Sequence, residues 1–226
     1  MKLCVFSDSH GDLPQIIEHN DVVCCCGDFS PLQYQRSFSF MMDWIQYDFC
    51  RWIKTLDCDK FIFIAGNHDF CCEKLDFKEA FNFILEVEGL SNKVVYLENE
   101  SYEYKGKKFF GCPYSDIPNW AFSMCDVDYN KEGYNKIEEN VDVLLVHQAP
   151  DCNNVGTSDF DKPYGRNFGS IRLMHVILEK KPKYVFCGHI HSGNHERTLY
   201  NKSIIYNTSI KNEDYQIAYS PLTIEI

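Results

Sequence analysis

Short apolar runs alternate with polar clusters along this chain, and the contrast is sharpest at residues 61–69. Phe61-Ile62-Phe63-Ile64-Ala65 reads as a strand buried on both faces, and it breaks into Gly66-Asn67-His68-Asp69. An apolar run closed by a polar cluster recurs at 2–7, 21–26, 141–146 and 183–187. Helical patterns separate the first three strands. Pro14 can occupy the first turn of a helix capped by Asp12, with Leu13, Ile16 and Ile17 on its apolar side. Phe38, Met41, Met42, Ile45, Phe49, Trp52, Ile53 and Leu56 recur at helical spacing, which predicts the longest helix of the chain. Strand, helix, strand, helix, strand predicts parallel pairing and an α/β architecture.

A further helix is predicted over 77–87, closed by Gly89. Beyond it the texture changes. Residues 93–97, 101–104 and 107–111 read as short antiparallel strands at the far side of a second sheet, and 112–130 as a long aromatic loop. Residues 135–139 read as a helical turn, and 151–168 have no periodicity, which points to function or disorder. A helix over 170–179 is stopped by Pro182. Residues 196–199, 203–206, 216–219 and 222–226 read as β-hairpin material. With no repeat or linker, residues 1–226 are expected to form a single domain.

Composition narrows the partners. The net charge of −11 argues against extended nucleic acid and against an anionic membrane. A small anionic substrate remains compatible, because a bound metal supplies local positive charge. No apolar run reaches membrane-spanning length, and the opening residues lack the apolar stretch of a signal peptide. Twelve cysteines then read as reduced thiols, and a cytoplasmic location is expected. Cys24, Cys25 and Cys26 point to alternating faces of a strand, and no Cys-x-x-Cys pair occurs, so these thiols are expected to be buried apolar side chains. The oligomeric state is left open.

The polar clusters behind the strands carry the chemistry. In order they hold Asp8 and His10, then Asp28, then Asn67 and His68, then His147, then His189 and His191. Five of the eight histidines therefore fall at strand ends. A lone Asp-x-His is a common surface pattern, and Gly-Asp alone is a turn signal. Five such clusters in one order form a donor set that suits two divalent ions such as manganese, iron, zinc or nickel. Two ions about 4 Å apart need a bridging carboxylate and bring a bound water's pKa toward about 7; the hydroxide can attack a phosphorus atom in line.

The ordered motifs Asp8-x-His10, Gly27-Asp28, Gly66-Asn67-His68-Asp69, His147 and Gly188-His189-x-His191 resemble the calcineurin-like metallophosphoesterase superfamily. Ile64–Asp69, Phe109-Phe110-Gly111-Cys112-Pro113-Tyr114, Trp120-Ala121-Phe122 and Asn207-Thr208-Ser209 look like its small MPPED and UPF0046 groups. The resemblance covers essentially the whole chain. It implies a four-layer α-β-β-α sandwich of two mixed sheets flanked by helices. By motif position Asp8, His10, Asp28 and His191 would hold one ion, while Asn67, His147 and His189 would hold a second, with Asp28 bridging. His68 would serve the leaving group, Asp69 would orient its imidazole, and Gly66 would let the backbone turn sharply.

The implied activity is hydrolysis of a small phosphoester, with phosphodiesters such as cyclic nucleotides ahead of monoesters. A metal-binding scaffold of weak activity and a nuclease are the rivals; the intact motif set counts against the first, the acidic charge against the second. The Asp-Arg-Gly segment of the superfamily's protein phosphatases is missing after Gly27-Asp28, and Gln148-Ala149 stands where Gly-Pro often follows His147. Tyr114 or Trp120 could stack a base, though packing is the simpler role for both, and Asn153, Asn154 and Arg166 could meet a phosphate.

Overall fold

Four parallel strands carry the first half of the chain: β1 (Lys2–Phe6), β2 (Asn20–Cys26), β3 (Cys58–Ile64) and β4 (Val94–Tyr96), hydrogen-bonded in that order. The structure, a computed structural model, describes residues 1–125, 132–160 and 165–226. The second sheet begins with an antiparallel hairpin of β5 (Glu100–Tyr104) and β6 (Lys107–Cys112) and continues through the parallel strand β7 (Val143–Val146). A two-stranded pair, β8 (Thr157–Ser158) and β9 (Arg166–Asn167), lies in the loop that follows. Then β10 (Tyr184–Cys187) pairs parallel to β7, β11 (Thr198–Tyr200) forms an edge, and β12 (Ser203–Asn207) runs between them, parallel to β10 and antiparallel to β11. Finally β13 (Leu222–Glu225) returns to the first sheet, antiparallel to β1. Parts of the predicted loops, 126–130 and 161–164, lie outside the described residues.

Strand alternation separates two cores. Leu3, Val5, Cys24, Ile62, Ile64, Phe109, Val143, Leu145 and Phe186 come from both sheets and pack into one cluster between them. The opposite parity, Phe6, Val23, Cys25, Phe61 and Phe63 of one sheet and Leu144, Val146 and Val185 of the other, meets the helices. The order is therefore helices, sheet, sheet, helix: the expected four-layer α-β-β-α sandwich of two mixed sheets. Cys24 and Cys25 indeed point to opposite sides, and all twelve thiols are unpaired.

The helix over the first sheet has three parts: α1 (Phe38–Trp44), a π segment (Ile45–Phe49) and α2 (Cys50–Thr55). Met41, Ile45, Phe49 and Ile53 are fully buried, each four residues from the last, and Cys50 is buried beside Phe49. Four residues overshoot a 3.6-residue turn by about 40°, so a pure α-helix would swing this row off the sheet. The wider π turn takes up the excess. It seats Phe49 against Phe29 at 4.9 Å and against Phe61 and Phe63 at 5.7 Å between ring centroids. On the first sheet α3 (Phe77–Val87) has the predicted bounds, with Gly89 at φ +70° beyond its end. On the second sheet α4 (Ile171–Lys180) starts at Ser170, whose hydroxyl accepts the Leu173 N–H, and ends at Lys181, left-handed at φ 52°, directly before Pro182.

Four expectations need correction. No helix forms after Asp12: the Pro14 carbonyl accepts the Trp52 indole N–H at 2.9 Å, and Ile17 is 79% exposed. The stretch before β2 is too short to repay the cost of helix nucleation. β4 is a parallel strand of the first sheet, because α3 is its crossover from β3. Residues 216–219 form no strand, and 222–226 pair with β1 instead of forming a hairpin. The helical turn near 135–139 is a 3₁₀ turn at Gly133–Lys136.

Phe49→Ala is expected to lower stability by about 3–5 kcal/mol, seen as a fall in the urea midpoint at unchanged slope. A loss below about 1 kcal/mol would contradict the packing role assigned to the π turn.

Candidate metal centre

Parallel strands put their carboxyl ends on one edge of a sheet, and here both sheets present those ends to the same place. The turns after β1, β2 and β3 meet the turns after β7 and β10. Asp8, His10, Asp28 and His189 all have left-handed backbones, at φ 57°, 44°, 53° and 68°. Non-glycine residues adopt this region at a cost and need surrounding support. Support is present: Asp8 N–H donates to Gly27 O at 3.0 Å, His10 N–H to Asp28 O at 2.9 Å, and His189 N–H to both Asp8 carboxylate oxygens at 3.1 Å. Gly66 is not left-handed, so the sharp-turn role expected of it is corrected. It is required for space: a Cβ there would sit 2.4 Å from Asp28 Oδ1 and 2.6 Å from His147 Cε1.

All seven residues proposed from the motifs come together; six are buried and His189 is half-buried. Asp8, His10 and His191 form one group whose ligand atoms lie within 4.8 Å of one another; Asp8, Asp28 and His147 form another, and His10, Asp28 and His68 a third. Asn67 Oδ1 lies 2.8 Å from His147 Nε2 and 2.7 Å from His189 Nδ1. Among the described residues, none of the groups suited to a metal contains a cysteine.

The protonation logic tests whether a cation fits. His147 Nδ1–H donates to Cys26 O at 2.9 Å, which leaves Nε2 with a lone pair. That lone pair faces Asn67 Oδ1 at 2.8 Å and Asp28 Oδ2 at 3.3 Å, both acceptors. His191 repeats the pattern: Nδ1–H donates to Asn212 O at 2.9 Å, while Nε2 faces His10 Nε2 at 3.4 Å and Asp8 Oδ1 at 3.6 Å. Buried acceptors converging on acceptors need a positive charge between them. With no ion, protons supply it. Burial disfavours charge on His147, but the Asp28 carboxylate outweighs it and carries the imidazole up to about 9. Burial opposes charge on His191 as well, and Asp8 likewise lifts it to about 9. Burial drives His10 and His189 down to about 3. Burial would raise the Asp8 carboxyl, yet His191 and His147 hold it at about 2. A divalent cation bound by these oxygens and imidazoles satisfies the same lone pairs without protons, so the donor set fits the group.

His68 and Asp69 divide their work differently from the expectation. The His68 N–H donates to Asp28 Oδ1 at 2.7 Å, and its ring Nδ1 meets Gln35 Oε1 at 2.7 Å. Asp69 is corrected as the orienting partner of that ring. Its carboxylate instead accepts the N–H groups of Gly66 at 2.7 Å, Asp28 at 2.8 Å and Ser30 at 3.0 Å. It thereby ties the turn after β2 to the turn after β3. Burial, then the neighbouring Asp28 charge, pushes its carboxyl up to about 7. Gln35 was missed because a lone amide in a polar loop carries no sequence signal. Tyr215 was missed too; its ring lies 5.0 Å from His10 and 5.1 Å from His191, in a segment whose pattern shows only a turn.

The substrate candidates fare unevenly. Tyr114 is 9% exposed and packs edge-on against Phe122, so it is core and not a stacking platform. Trp120 does reach the site, 4.5 Å from the His68 ring. Asn153 and Asn154 hold the loop turn, their carbonyls accepting from Asn194 Nδ2 and from Thr157 and Asn194 N–H groups respectively. Arg166 is exposed and stacks on Phe168 at 5.0 Å. Gln148, in place of Gly-Pro's first residue, accepts the Asp116 N–H at 3.0 Å and donates to Phe168 O at 3.1 Å, bracing the aromatic loop.

Gly66→Ala is expected to displace the Asp28 carboxylate and cut bound divalent metal at least about ten-fold, a loss of the size caused by disturbing ligand-orienting contacts. Metal content of the dialysed, folded variant checks this; wild-type content would contradict it.

Comparisons with known proteins agree with the geometry. The model of the calcineurin-like phosphoesterase family matches residues 1–193. A UPF0046 protein of Caenorhabditis elegans is 28% identical over 99% of this chain and 80% of its own length. Metallophosphoesterase domain-containing protein 1 of Homo sapiens is 24% identical over 99% of this chain and 70% of its own. Among solved structures, phosphopantetheinyl hydrolase of Mycobacterium tuberculosis superposes with a TM-score of 0.58 at 13% identity, covering 99% of this chain and 95% of that one, which shows a shared fold. The strand-end cluster and the matching family model together establish that the chain belongs to the calcineurin-like phosphoesterase family.

Proposed function

We propose that the chain is a dinuclear metal-dependent phosphodiesterase acting on small phosphodiesters, cyclic nucleotides among them. The observation that carries the reading is the buried, acceptor-rich cluster around Asp28. Its Oδ2 lies 3.3 Å from His147 Nε2 and 3.9 Å from His10 Nε2. These imidazoles fall in different proposed sets, which supports Asp28 as the shared ligand. Asp8, His10 and His191 complete one set; Asn67, His147 and His189 form the other. Manganese suits this mix of oxygen and imidazole donors, as do iron, zinc and nickel. Bound ions supply an activated water and neutralise charge on the phosphoryl oxygens.

The chain's own residues supply the rest. His68 is the strand-end imidazole left outside both sets. Gln35 Oε1 accepts from Nδ1–H and fixes the ring, so Nε2 is the atom turned to the leaving oxygen; it delivers a proton there from the imidazolium form, which burial disfavours and the Asp28 carboxylate favours. Asp69 keeps the two ligand turns in register. A diester brings one negative charge to a chain of net charge −11, where a monoester brings two, and this favours the diester. No described helix is long and apolar enough to cross a membrane. Twelve unpaired thiols fit the reducing cytoplasm.

The manganese-loaded chain is expected to turn over bis-p-nitrophenyl phosphate faster than p-nitrophenyl phosphate, and to act on at least one cyclic nucleotide. Chelation should abolish all three. His68→Ala should keep its metal and lose about 10²–10⁴ in kcat, while Asp28→Ala should lose both metal and activity. An ion-loaded chain that hydrolyses none of these esters contradicts the proposal. Gln35→Ala is expected to lose about ten-fold in kcat with metal content unchanged, measured on the same diester; wild-type kcat would remove Gln35 from the mechanism.

A further inference from the structure

Two aromatic rings stand near the His68 imidazole, and neither is a metal donor. The Trp120 ring centroid lies 4.5 Å from that of His68, and the ring is tilted 51° to it. Phe70 packs behind Trp120 at 5.7 Å, and the Arg36 guanidinium stacks on Phe70 at 3.9 Å. Tyr215 also stands edge-on to His68 at 6.4 Å, to His10 at 5.0 Å and to His191 at 5.1 Å.

Tyr215 is 37% exposed yet held at φ 58°. A bulky residue rarely adopts that conformation unless its surroundings impose it. Asn212 imposes it here. Its Oδ1 accepts the N–H groups of Asp214 at 3.1 Å and Gln216 at 2.9 Å, and its carbonyl accepts Tyr215 N–H at 2.9 Å. The same carbonyl accepts His191 Nδ1–H at 2.9 Å, so the turn that aims Tyr215 is fastened to the site. Exposure of this degree brings little burial in return for the strained backbone. Strained, exposed and aimed at a site, an aromatic ring is placed for a ligand.

We infer that Trp120 and Tyr215 form a subsite for a flat aromatic ring, an aryl group or nucleobase, carried by the leaving group whose ester oxygen His68 protonates. The inference rests on the phosphoester reading above and names the part of the substrate that reading leaves open. A ring bound beside His68 meets the aromatic side chains nearest to it, and stacking is tolerant of ring identity, so the subsite selects a class and not one base. Arg36 backs Trp120 and places positive charge at the rim; no carboxylate pairs with it among the described residues. In a chain of net charge −11 that rim favours an anionic ester carrying the ring.

Calorimetric titration of the manganese-loaded full chain with adenosine 5′-monophosphate and with ribose 5-phosphate tests this, since the pair differs only in the ring. The nucleotide is expected to bind about ten-fold tighter. Trp120→Leu and Tyr215→Leu should each erase most of that advantage and leave ribose 5-phosphate binding unchanged, while Trp120→Phe and Tyr215→Phe should keep it. Tyr215 is exposed, so its variants report even if Trp120→Leu fails to fold. Equal affinity for the two ligands, or a preference that survives Tyr215→Leu, overturns the subsite. Turnover of bis-p-nitrophenyl phosphate by the same sample is scored separately: turnover without ring preference sinks the subsite alone, and no turnover sinks the esterase reading beneath it.

Discussion

The buried carboxylate of Asp28 is the interaction on which the rest depends. It sits where two sheets end, accepts the His68 backbone N–H, and lies within 4.0 Å of imidazole nitrogens from His10, His68 and His147. A charge in such a place is unstable without positive partners. The chain surrounds it with groups that are themselves acceptors once their outer nitrogens have bonded to Cys26 and Asn212 carbonyls. That surplus of lone pairs makes the site a cation trap, in which Asp69 fixes the turns that carry the donors.

The scaffold must hold this surplus rigidly. Four of the proposed ligands stand at positive φ, a strain of about 1–3 kcal/mol each. A buried phenylalanine stabilises by about 2–3 kcal/mol. The mutually packed and fully buried Phe29, Phe49, Phe61 and Phe63, with Phe29 next to Asp28 in the chain, are therefore of the right size to hold them. The inter-sheet core does the same from the other side, since Val5, Cys26, Ile64 and Val143 anchor the strands that lead into or face the site. Glycine makes the approach possible at Gly66 and Gly188; at the latter a Cβ would lie 2.3 Å from Asp8 Oδ2.

Sequence periodicity carried the strands and the polar clusters behind them well, because buried parallel strands are nearly all apolar and a polar cluster after one is conspicuous. The four-layer order was legible only through resemblance to a family, since parity alone does not say which strands share a sheet. β4 was assigned to the wrong sheet for that reason. The helix expected at Pro14 failed because local signals for a start ignore the tertiary competitor, here the Trp52 indole that takes the Pro14 carbonyl. The His68–Gln35 pair and Tyr215 join residues 33 positions apart and a loop beyond the last motif. A carboxylate adjacent in sequence looked like the natural partner for His68, yet its two oxygens are taken by three N–H groups.

Anomalous diffraction at the manganese edge from crystals of the manganese-loaded chain tests the central claim most directly. The account predicts two peaks, one on each side of the Asp28 carboxylate, the first among Asp8, His10 and His191 and the second among Asn67, His147 and His189. No peak beside Asp28, or metal bound only elsewhere on the surface, would contradict it.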